Sequence, residues 1–244
     1  MALTGSFEIA HDGGEDQAMR VLAIDTALEA CSAAVLDTNS GITASETLAM
    51  TRGHAEAVMP LIARVMSAAA IEFADLDRIA VTTGPGSFTG LRVGISATRG
   101  IALAAGKPAV GLSTLAGFAA PLIADDDSTQ VVAAIDARHE QVYLQIFGTG
   151  GRTLVAPRIA SVRDAARAAM TAPARIIGSA ANKLAAAWPK GAEPPLSVEQ
   201  RGAPDIDWIA RLGAAAAEGQ HPPKPLYLRA PDAQPQDAVR LPRR

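Results

Sequence analysis

The chain has 244 residues, of which 49% are apolar, 19% charged and 4% aromatic, and its formal net charge is −3. This charge, without a basic stripe along the sequence, argues against a protein that holds RNA by its own field, because phosphate contacts supply most of that affinity. The single cysteine, Cys31, excludes an internal disulfide, and the absence of a long apolar run or a basic, apolar leader predicts a cytoplasmic protein.

The first half of the sequence predicts three strands followed by alternating helices and strands. After an acidic, aperiodic extension at 1–18, strands are predicted at 21–25, 31–36 and 42–48. Apolar residues at helical spacing predict a helix over 53–70, in which Pro60 either introduces a kink or marks the first turn. A strand at 78–83, a helix at 89–105, a strand at 109–112 and a helix from its N-cap Ser113 to about 124 complete the order βββαβαβα.

The second half repeats this order more loosely. Strands are predicted at 131–136, 141–147, 153–159 and 175–177, helices at 162–170, 180–188 and 205–217, and a loose tail at 230–244. The phrase AIDT at 23–26 returns as AIDA at 134–137. This repetition resembles the duplicated actin-like (ASKHA/ribonuclease H-like) α/β fold, with halves at 19–126 and 127–229 and the second half degenerate. In that architecture Asp25 and Asp136, each ending the first strand of its half, face the cleft between the halves.

Residues 82–90 (TTGPGSFTG) join a predicted strand to a predicted helix. Glycines there permit positive φ or close backbone approach, and Ser87 or Thr89 can cap the helix, whose free amides favour an anion. The segment lacks the lysine of a Walker A loop and the spacing of a dinucleotide fingerprint. Two interpretations stay open: a turn that needs glycine only for its shape, or an anion or nucleotide site. The residues of such a site would be Asp25, Thr26, Gly84, Gly86, Ser87, Thr89, Gly90 and Asp136, the last holding Mg²⁺ through water.

The helix at 89–105 carries a stripe of very small residues, Gly90, Gly94, Ala97 and Gly100. Glycine inside a helix costs about 1 kcal/mol relative to alanine, so the stripe requires a compensating close contact. The helix at 53–70 is also apolar over more than one stripe. We therefore expect a protein–protein seam on these two helices, and we expect Gly94→Leu to block complex formation unless the stripe serves only the internal core.

Six segments resemble the TsaB (YeaZ) family in order and spacing, and they cover nearly the whole chain. They are IDT at 24–26, GHAEAVMPLI at 53–62, TTGPGSFTGLRVG at 82–94, GLSTL at 111–115, DAR at 136–138 and PLYLR at 225–229. The run GPGSFTGLR at 84–92 is highly specific. The resemblance implies a non-catalytic scaffold or activating subunit in the formation of N6-threonylcarbamoyladenosine at position 37 of tRNAs that read ANN codons.

The resemblance also implies the partners. The catalytic TsaD subunit is expected to bind the helices at about 53–70 and 89–105, and the small ATPase TsaE joins the pair. A homodimer through the same helices is expected when the partner is absent, tRNA is reached only through the complex, and no membrane is involved. The predicted partner-binding residues are His54, Val58, Met59, Ile62, Met66, Leu91, Gly94, Ile95, Ala97 and Thr98.

Catalysis by the isolated chain is not expected. The catalytic relatives hold a metal with two histidines at i and i+4, where this chain has Thr114 and Phe118, and none of its four histidines forms such a pair. We therefore expect no metal and no cofactor of its own, while ATP or ADP with Mg²⁺ belongs at most to the complex. Two alternatives remain: an actin-like small-molecule kinase or ATPase, disfavoured because no glycine-rich hairpin follows Asp136, and a dimerising module unrelated to tRNA.

Overall fold

Two five-stranded sheets, with helices packed on their faces, make up the computed structural model of the chain. The structure describes residues 18–217, 219 and 223–229. The predicted extension at 1–18, except for Ala18, and the predicted tail at 230–244 lie outside these residues. Within the described part, no helix is long and apolar enough to cross a membrane.

The first sheet has the strand order β3-β2-β1-β4-β5. The chain runs antiparallel through β1, β2 and β3, whereas β4 and β5 lie parallel to β1. The central strands β1 and β4 are buried almost throughout because both of their faces are covered, and the edge strand β3 alternates between exposed and half-buried residues. The strands are β1 (Arg20–Asp25), β2 (Ala30–Asp37), β3 (Gly41–Ala49), β4 (Arg78–Gly84) and β5 (Ala109–Ser113).

The second sheet repeats the first in strand order and direction, β8-β7-β6-β9-β10, which confirms the predicted duplication. Its strands are β6 (Gln130–Asp136), β7 (Gln141–Phe147), β8 (Thr153–Ser161), β9 (Ala174–Gly178) and β10 (Ser197–Gln200). The sequence did not predict β10, because its four residues form a short edge strand with only one apolar side chain. With β10 in place the second half has every element of the first, so it is shorter but not degenerate in its order.

Four helices cover the outer faces of the sheets. On the first sheet lie α1 (His54–Ala68) and α2 (Phe88–Ala105), and on the second lie α4 (Val162–Ala169) and α5 (Ala181–Ala186). The predicted caps Ser87 and Ser113 are confirmed, since each accepts a hydrogen bond from a backbone N–H of the first turn. Helix α1 continues through Pro60, which therefore lies beyond the first turn.

The remaining two helices are exchanged between the halves. Helix α3 (Thr114–Asp125) follows the first sheet in sequence but buries Leu115 and Phe118 against the second. Helix α6 (Ile206–Ala215) follows the second sheet but buries Ile209 and Ala210 against the first. The predicted boundary at 126/127 stays a prediction, and the exchanged helices show that each half completes the core of the other.

Candidate functional site

The ends of β1 and β4 form a buried polar cluster beside the N-terminus of α2. Asp25 is completely buried, and its Oδ1 accepts hydrogen bonds from the Thr82 hydroxyl and, at 3.1 Å, from the Ala27 backbone N–H. Its Oδ2 is equally buried and has no hydrogen-bond partner among the residues that the structure describes. A carboxyl group in this position has lost its hydration without gaining a full set of donors.

Burial raises the pKa of Asp25 to about 6, although the hydrogen bonds from Thr82 and Ala27 and the positive potential of His54 act in the opposite direction. His54 itself is 9% exposed, with Nε2 lying 3.0 Å from the Leu28 carbonyl oxygen. No cation forms an ion pair with Asp25 among the described residues. The carboxyl therefore has an unusual proton affinity that follows from its desolvation.

The glycines of the turn after β4 face the chain's own backbone. A Cβ on Gly84 would lie 2.9 Å from the Leu226 carbonyl oxygen, and one on Gly86 or Gly90 would overlap the carbonyl oxygen of Ala27 or Thr26. These close approaches alone account for the glycines. Because Thr26 and Asp25 are also inaccessible to solvent, nothing here supports the nucleotide or anion site, which stays a prediction. Of the two proposed caps, the structure uses Ser87; Thr89 is exposed.

The matching acid of the second half has a different environment. Asp136 is exposed, and its Oδ1 lies 3.7 Å from Lys183 Nζ and accepts a hydrogen bond from the Arg138 backbone N–H at 2.9 Å. The turn that follows holds Arg138, His139 and Glu140 at φ values of 63°, 48° and 57°, which non-glycine residues rarely adopt. The two acids that the repeat made equivalent are therefore buried and unpaired in one half, but solvated and paired in the other.

Most of the predicted partner-binding residues lie in the chain's own core. His54, Val58, Ile62, Met66, Leu91, Gly94, Ile95 and Thr98 are buried, Ala97 is half-buried, and only Met59, at 47% exposed, is presented to solvent. A Cβ on Gly94 would lie 2.5 Å from Thr26 Oγ1. These eight residues lie on the helix faces that cover the first sheet, and their part in binding a partner stays a prediction. That a partner binds α1 and α2 stays a prediction.

The outer faces of α1 and α2 present a different set of small and apolar residues. Leu103 is 86% exposed, and Gly100 has open space around its missing Cβ. The sequence indicated this face, because the helix at 53–70 has apolar residues beside the stripe that packs on the sheet. The exposed small and apolar residues include Ala55, Met59, Pro60 and Ala63 on α1, and Ser96, Gly100, Leu103 and Ala104 on α2.

Residues 223–229, which we call the C-terminal strap, lie against β4 and α2. The Leu226 N–H donates to the Thr83 carbonyl at 2.8 Å, and Arg99 Nη2 donates to the Pro223 carbonyl at 2.7 Å. At the other end of the strap, Arg229 Nη1 donates to the Ala137 carbonyl of the second half at 3.2 Å. The strap therefore spans from the first half to the second.

An exposed stack joins the strap to the first turns of α2. The Arg92 guanidinium lies 3.7 Å from the centroid of the Phe88 ring, and that ring lies 5.3 Å from the ring of Tyr227. Arg92 Nε also donates to the Tyr227 hydroxyl at 3.3 Å. Both rings are nearly half exposed, at 44% and 45%. Sequence reasoning missed this cluster because 135 residues separate its two parts.

One groove of about 520 Å³ lies between the β1–β2 turn, the end of β3 and the loop before α6. Two of the charged residues that line it already have local partners, since Arg201 pairs with Glu199 and Asp205 caps α6. Among the described residues, no group of three or more histidine, cysteine, aspartate or glutamate side chains is arranged to hold a metal ion.

The family model described as TsaD, tRNA N6-adenosine threonylcarbamoyltransferase, matches residues 41–209. The chain is 40% identical over 125 residues to the tRNA threonylcarbamoyladenosine biosynthesis protein TsaB of Escherichia coli, a match that covers 51% of this chain and 53% of that protein. The chain thus matches about half the length of this relative. It is also 33% identical over 220 residues to an uncharacterized protein of Mycobacterium tuberculosis, covering 90% of this chain and 96% of the relative.

Among solved structures, the chain is similar to YeaZ from Pseudomonas aeruginosa. The superposition has a TM-score of 0.74 at 27% sequence identity and covers 86% of this chain and all of that one. The two-sheet arrangement described above is therefore shared over the entire length of the solved protein.

Proposed function

The chain belongs to the TsaD family, described as tRNA N6-adenosine threonylcarbamoyltransferase, and within it to the TsaB (YeaZ) proteins, and on this premise we propose that it is a non-catalytic subunit of a threonylcarbamoyltransferase complex. In this proposal it binds and activates the catalytic TsaD subunit. TsaE joins the pair, and the complex forms N6-threonylcarbamoyladenosine at position 37 of tRNAs that read ANN codons.

The observation that carries the proposal is the outer face of α1 and α2. Leu103 at 86% and Met59 at 47% exposure are large apolar side chains that the folded chain leaves in water. Small residues beside them, Ala63 and Gly100, allow the backbone of a partner helix to approach closely. Burying such a face against another helix pair stabilises the complex by about 25 cal/mol per Å² of apolar surface. This gain favours binding of TsaD or of a second copy of the chain at this face.

Two further observations favour a role in binding over a role in catalysis for this subunit. The turn at 84–90 is filled by the chain's own backbone, and the strap lies over Gly84. The positions at which the catalytic relatives are expected to carry metal-binding histidines are Thr114 and Phe118, both buried in α3. The isolated chain is accordingly proposed to lack transferase activity and to take part in nucleotide binding through the complex.

The test is co-elution of the chain with a TsaD homologue in size-exclusion chromatography. We expect Leu103→Glu and Met59→Glu to abolish co-elution at micromolar concentration, because each places a charge in an apolar seam, while circular dichroism and the melting temperature stay as in the wild type. Leu154→Glu is the matched control, since Leu154 is an exposed leucine (46%) on β8 of the second half.

Retention of the complex by both α1/α2 variants, or its equal loss in the Leu154 control, would contradict the proposed surface. The cellular role is tested separately by mass spectrometry of bulk tRNA. If depletion of this protein leaves the threonylcarbamoyladenosine content unchanged, the tRNA assignment is wrong.

A further inference from the structure

Helix α2 and the C-terminal strap together form a surface on which aromatic rings and guanidinium groups lie side by side. Phe88 and Tyr227 each expose almost half of their surface, in a chain with only five phenylalanines and two tyrosines. Arg92 lies over one face of the Phe88 ring and donates to the Tyr227 hydroxyl, so the stack has a fixed geometry. Exposed aromatic rings held in place in this way offer π-faces for a flat ligand.

This surface is positively charged although the chain is acidic overall. The chain has 25 acidic and 22 basic residues, yet no acidic residue occurs between Asp77 and Asp125, a segment that contains all of α2. The strap, PKPLYLR, also contains no acidic residue and adds Lys224, which is exposed. The fold therefore brings the basic residues of α2 and of the strap together on one surface, although they do not form a continuous basic stripe in the sequence.

In the described part of the chain, no carboxylate pairs with either of the two α2 arginines, Arg92 and Arg99. The described contacts of Arg92 are a phenol and an aromatic ring, and that of Arg99 is the Pro223 carbonyl, all of them uncharged. By contrast Arg64 pairs with Glu46 at 2.7 Å, and Arg167 with Asp164 at 3.8 Å. Arg92 and Arg99 are thus oriented by neutral groups and keep their full charge for an anionic ligand.

Acids on the neighbouring turn have their own cation. Beyond Ala137, where the strap ends, Asp136 and Glu140 lie 3.7 Å and 3.1 Å from the Nζ of Lys183. Both acids therefore pair with the same lysine of the second half rather than with the arginines of α2.

We propose that this α2–strap surface binds single-stranded RNA, with bases stacked on Phe88 and Tyr227 and phosphates held by Arg92 and Arg99. Aromatic platforms flanked by cations are the usual way to bind a strand without reading its sequence, because every base has a π-face and every nucleotide a phosphate. The proposal rests on the proposed function in one respect: it takes the RNA strand to be a loop of the tRNA that the complex modifies. It gives this chain a direct contact with RNA, whereas the net charge alone would leave RNA binding to its partner.

The experiment measures fluorescence anisotropy of a labelled single-stranded 12-nucleotide RNA of mixed sequence, and of a labelled tRNA transcript, titrated with the full chain at several KCl concentrations. We expect Phe88→Ala and Tyr227→Ala each to weaken binding by about 5- to 150-fold, the effect of losing one stacked base. Tyr227→Phe keeps the ring and should bind like the wild type. Arg92→Gln should reduce the slope of log affinity against log salt by about 0.7, the release of one counterion from a single strand.

Arg167→Gln is the matched control, because it removes an exposed arginine of α4 that a carboxylate already pairs. The proposal is overturned if the wild type does not bind either RNA, or if the alanine variants fold and bind both RNAs unchanged. Unchanged RNA binding with lost co-elution of TsaD would instead identify the stack as a protein interface. If the wild type binds RNA through the stack but never co-elutes with TsaD, the proposed function fails while the RNA surface stands.

Discussion

Replacing Asp25 by asparagine tests the energetic consequence of the buried carboxyl. In the folded chain the pKa of Asp25 is raised from 3.8 to about 6, chiefly because burial removes its hydration. The native state therefore binds more protons than the unfolded state between these two values, and the free energy of unfolding falls as pH rises through them. A difference of about 2 pKa units corresponds to about 3 kcal/mol, which is present below pH 3.8 and lost above pH 6.

An asparagine side chain cannot ionise, so the Asp25→Asn variant lacks this pH-dependent loss. The amide oxygen can still accept from Thr82 and Ala27, while the amide nitrogen replaces the unpartnered Oδ2 and adds a pH-independent penalty of about 1–3 kcal/mol. The absolute stability of the variant is therefore less informative than its change with pH. Relative to the wild type, Asp25→Asn should gain about 3 kcal/mol between about pH 4 and pH 7.5.

Urea unfolding, followed by circular dichroism at half-unit pH intervals, measures the free energy of unfolding of the variant and of the wild type. The contributions of the other titrating groups cancel in the difference between the two proteins. Asp37→Asn provides a control of opposite sign, because hydrogen bonds from the Asn39 and Ser40 backbone lower the pKa of Asp37. Its wild-type carboxylate stabilises the fold above its unfolded pKa of 3.8 and stops doing so as pH falls below that value. Asp37→Asn should therefore lose stability relative to the wild type as pH rises to about 3.8 and change little relative to it at higher pH. If the difference in the free energy of unfolding between the wild type and Asp25→Asn stays constant from about pH 4 to 7.5, the pKa of Asp25 is not raised by desolvation.

Other consequences of the packing are directly measurable. Gly94→Leu should lower the melting temperature or prevent folding, since its first side-chain atom would already meet Thr26 Oγ1; a stable Gly94→Leu protein that fails only to bind TsaD would return this residue to the partner surface. Gly100→Ala should raise the free energy of unfolding by about 0.5–1 kcal/mol, because the site is exposed, helical and unobstructed; a loss of stability would mean that its environment is not open. Calorimetric titration of the isolated chain with ATP–Mg²⁺ should give no micromolar binding, since Asp25 and Thr26 are inaccessible; micromolar binding with turnover would favour the kinase or ATPase alternative.

Local signals in the sequence located most elements within a few residues. Ser113 was recognised as a cap, and Ser87 as one of two candidates with Thr89, because a hydroxyl before a helix commonly accepts a free N–H of the first turn. Ser87 and Ser113 each do so. The repeated AIDT and AIDA segments indicated a duplication, and the two sheets have the same strand order. These features depend on neighbours close in sequence or on a pattern that recurs, so they can be read without coordinates.

The sequence did not show which faces of α1 and α2 pack against the chain's own sheet. Two apolar stripes run along these helices, and periodicity shows that both exist without showing which one the chain's own sheet covers. The sheet covers the stripe that contains Ile62 and Ile95, and it leaves Met59 and Leu103 exposed. The small-residue stripe divides likewise, since Gly94 faces Thr26 while Gly100 faces open space.

Adjacent or regularly spaced residues encode the repeated α/β order, the helix starts and the family resemblance, so these features can be recognised without coordinates. The fold is needed to show that Asp25 is a buried and Asp136 a solvated acid, that α3 and α6 are exchanged, and that Tyr227 meets Phe88 and Arg92. Burial, desolvation and charge clustering depend on groups that are distant in sequence and come together only in the folded chain. A chain with a net charge of −3 can therefore carry a positively charged aromatic surface whose two parts, α2 and the C-terminal strap, lie far apart in the sequence.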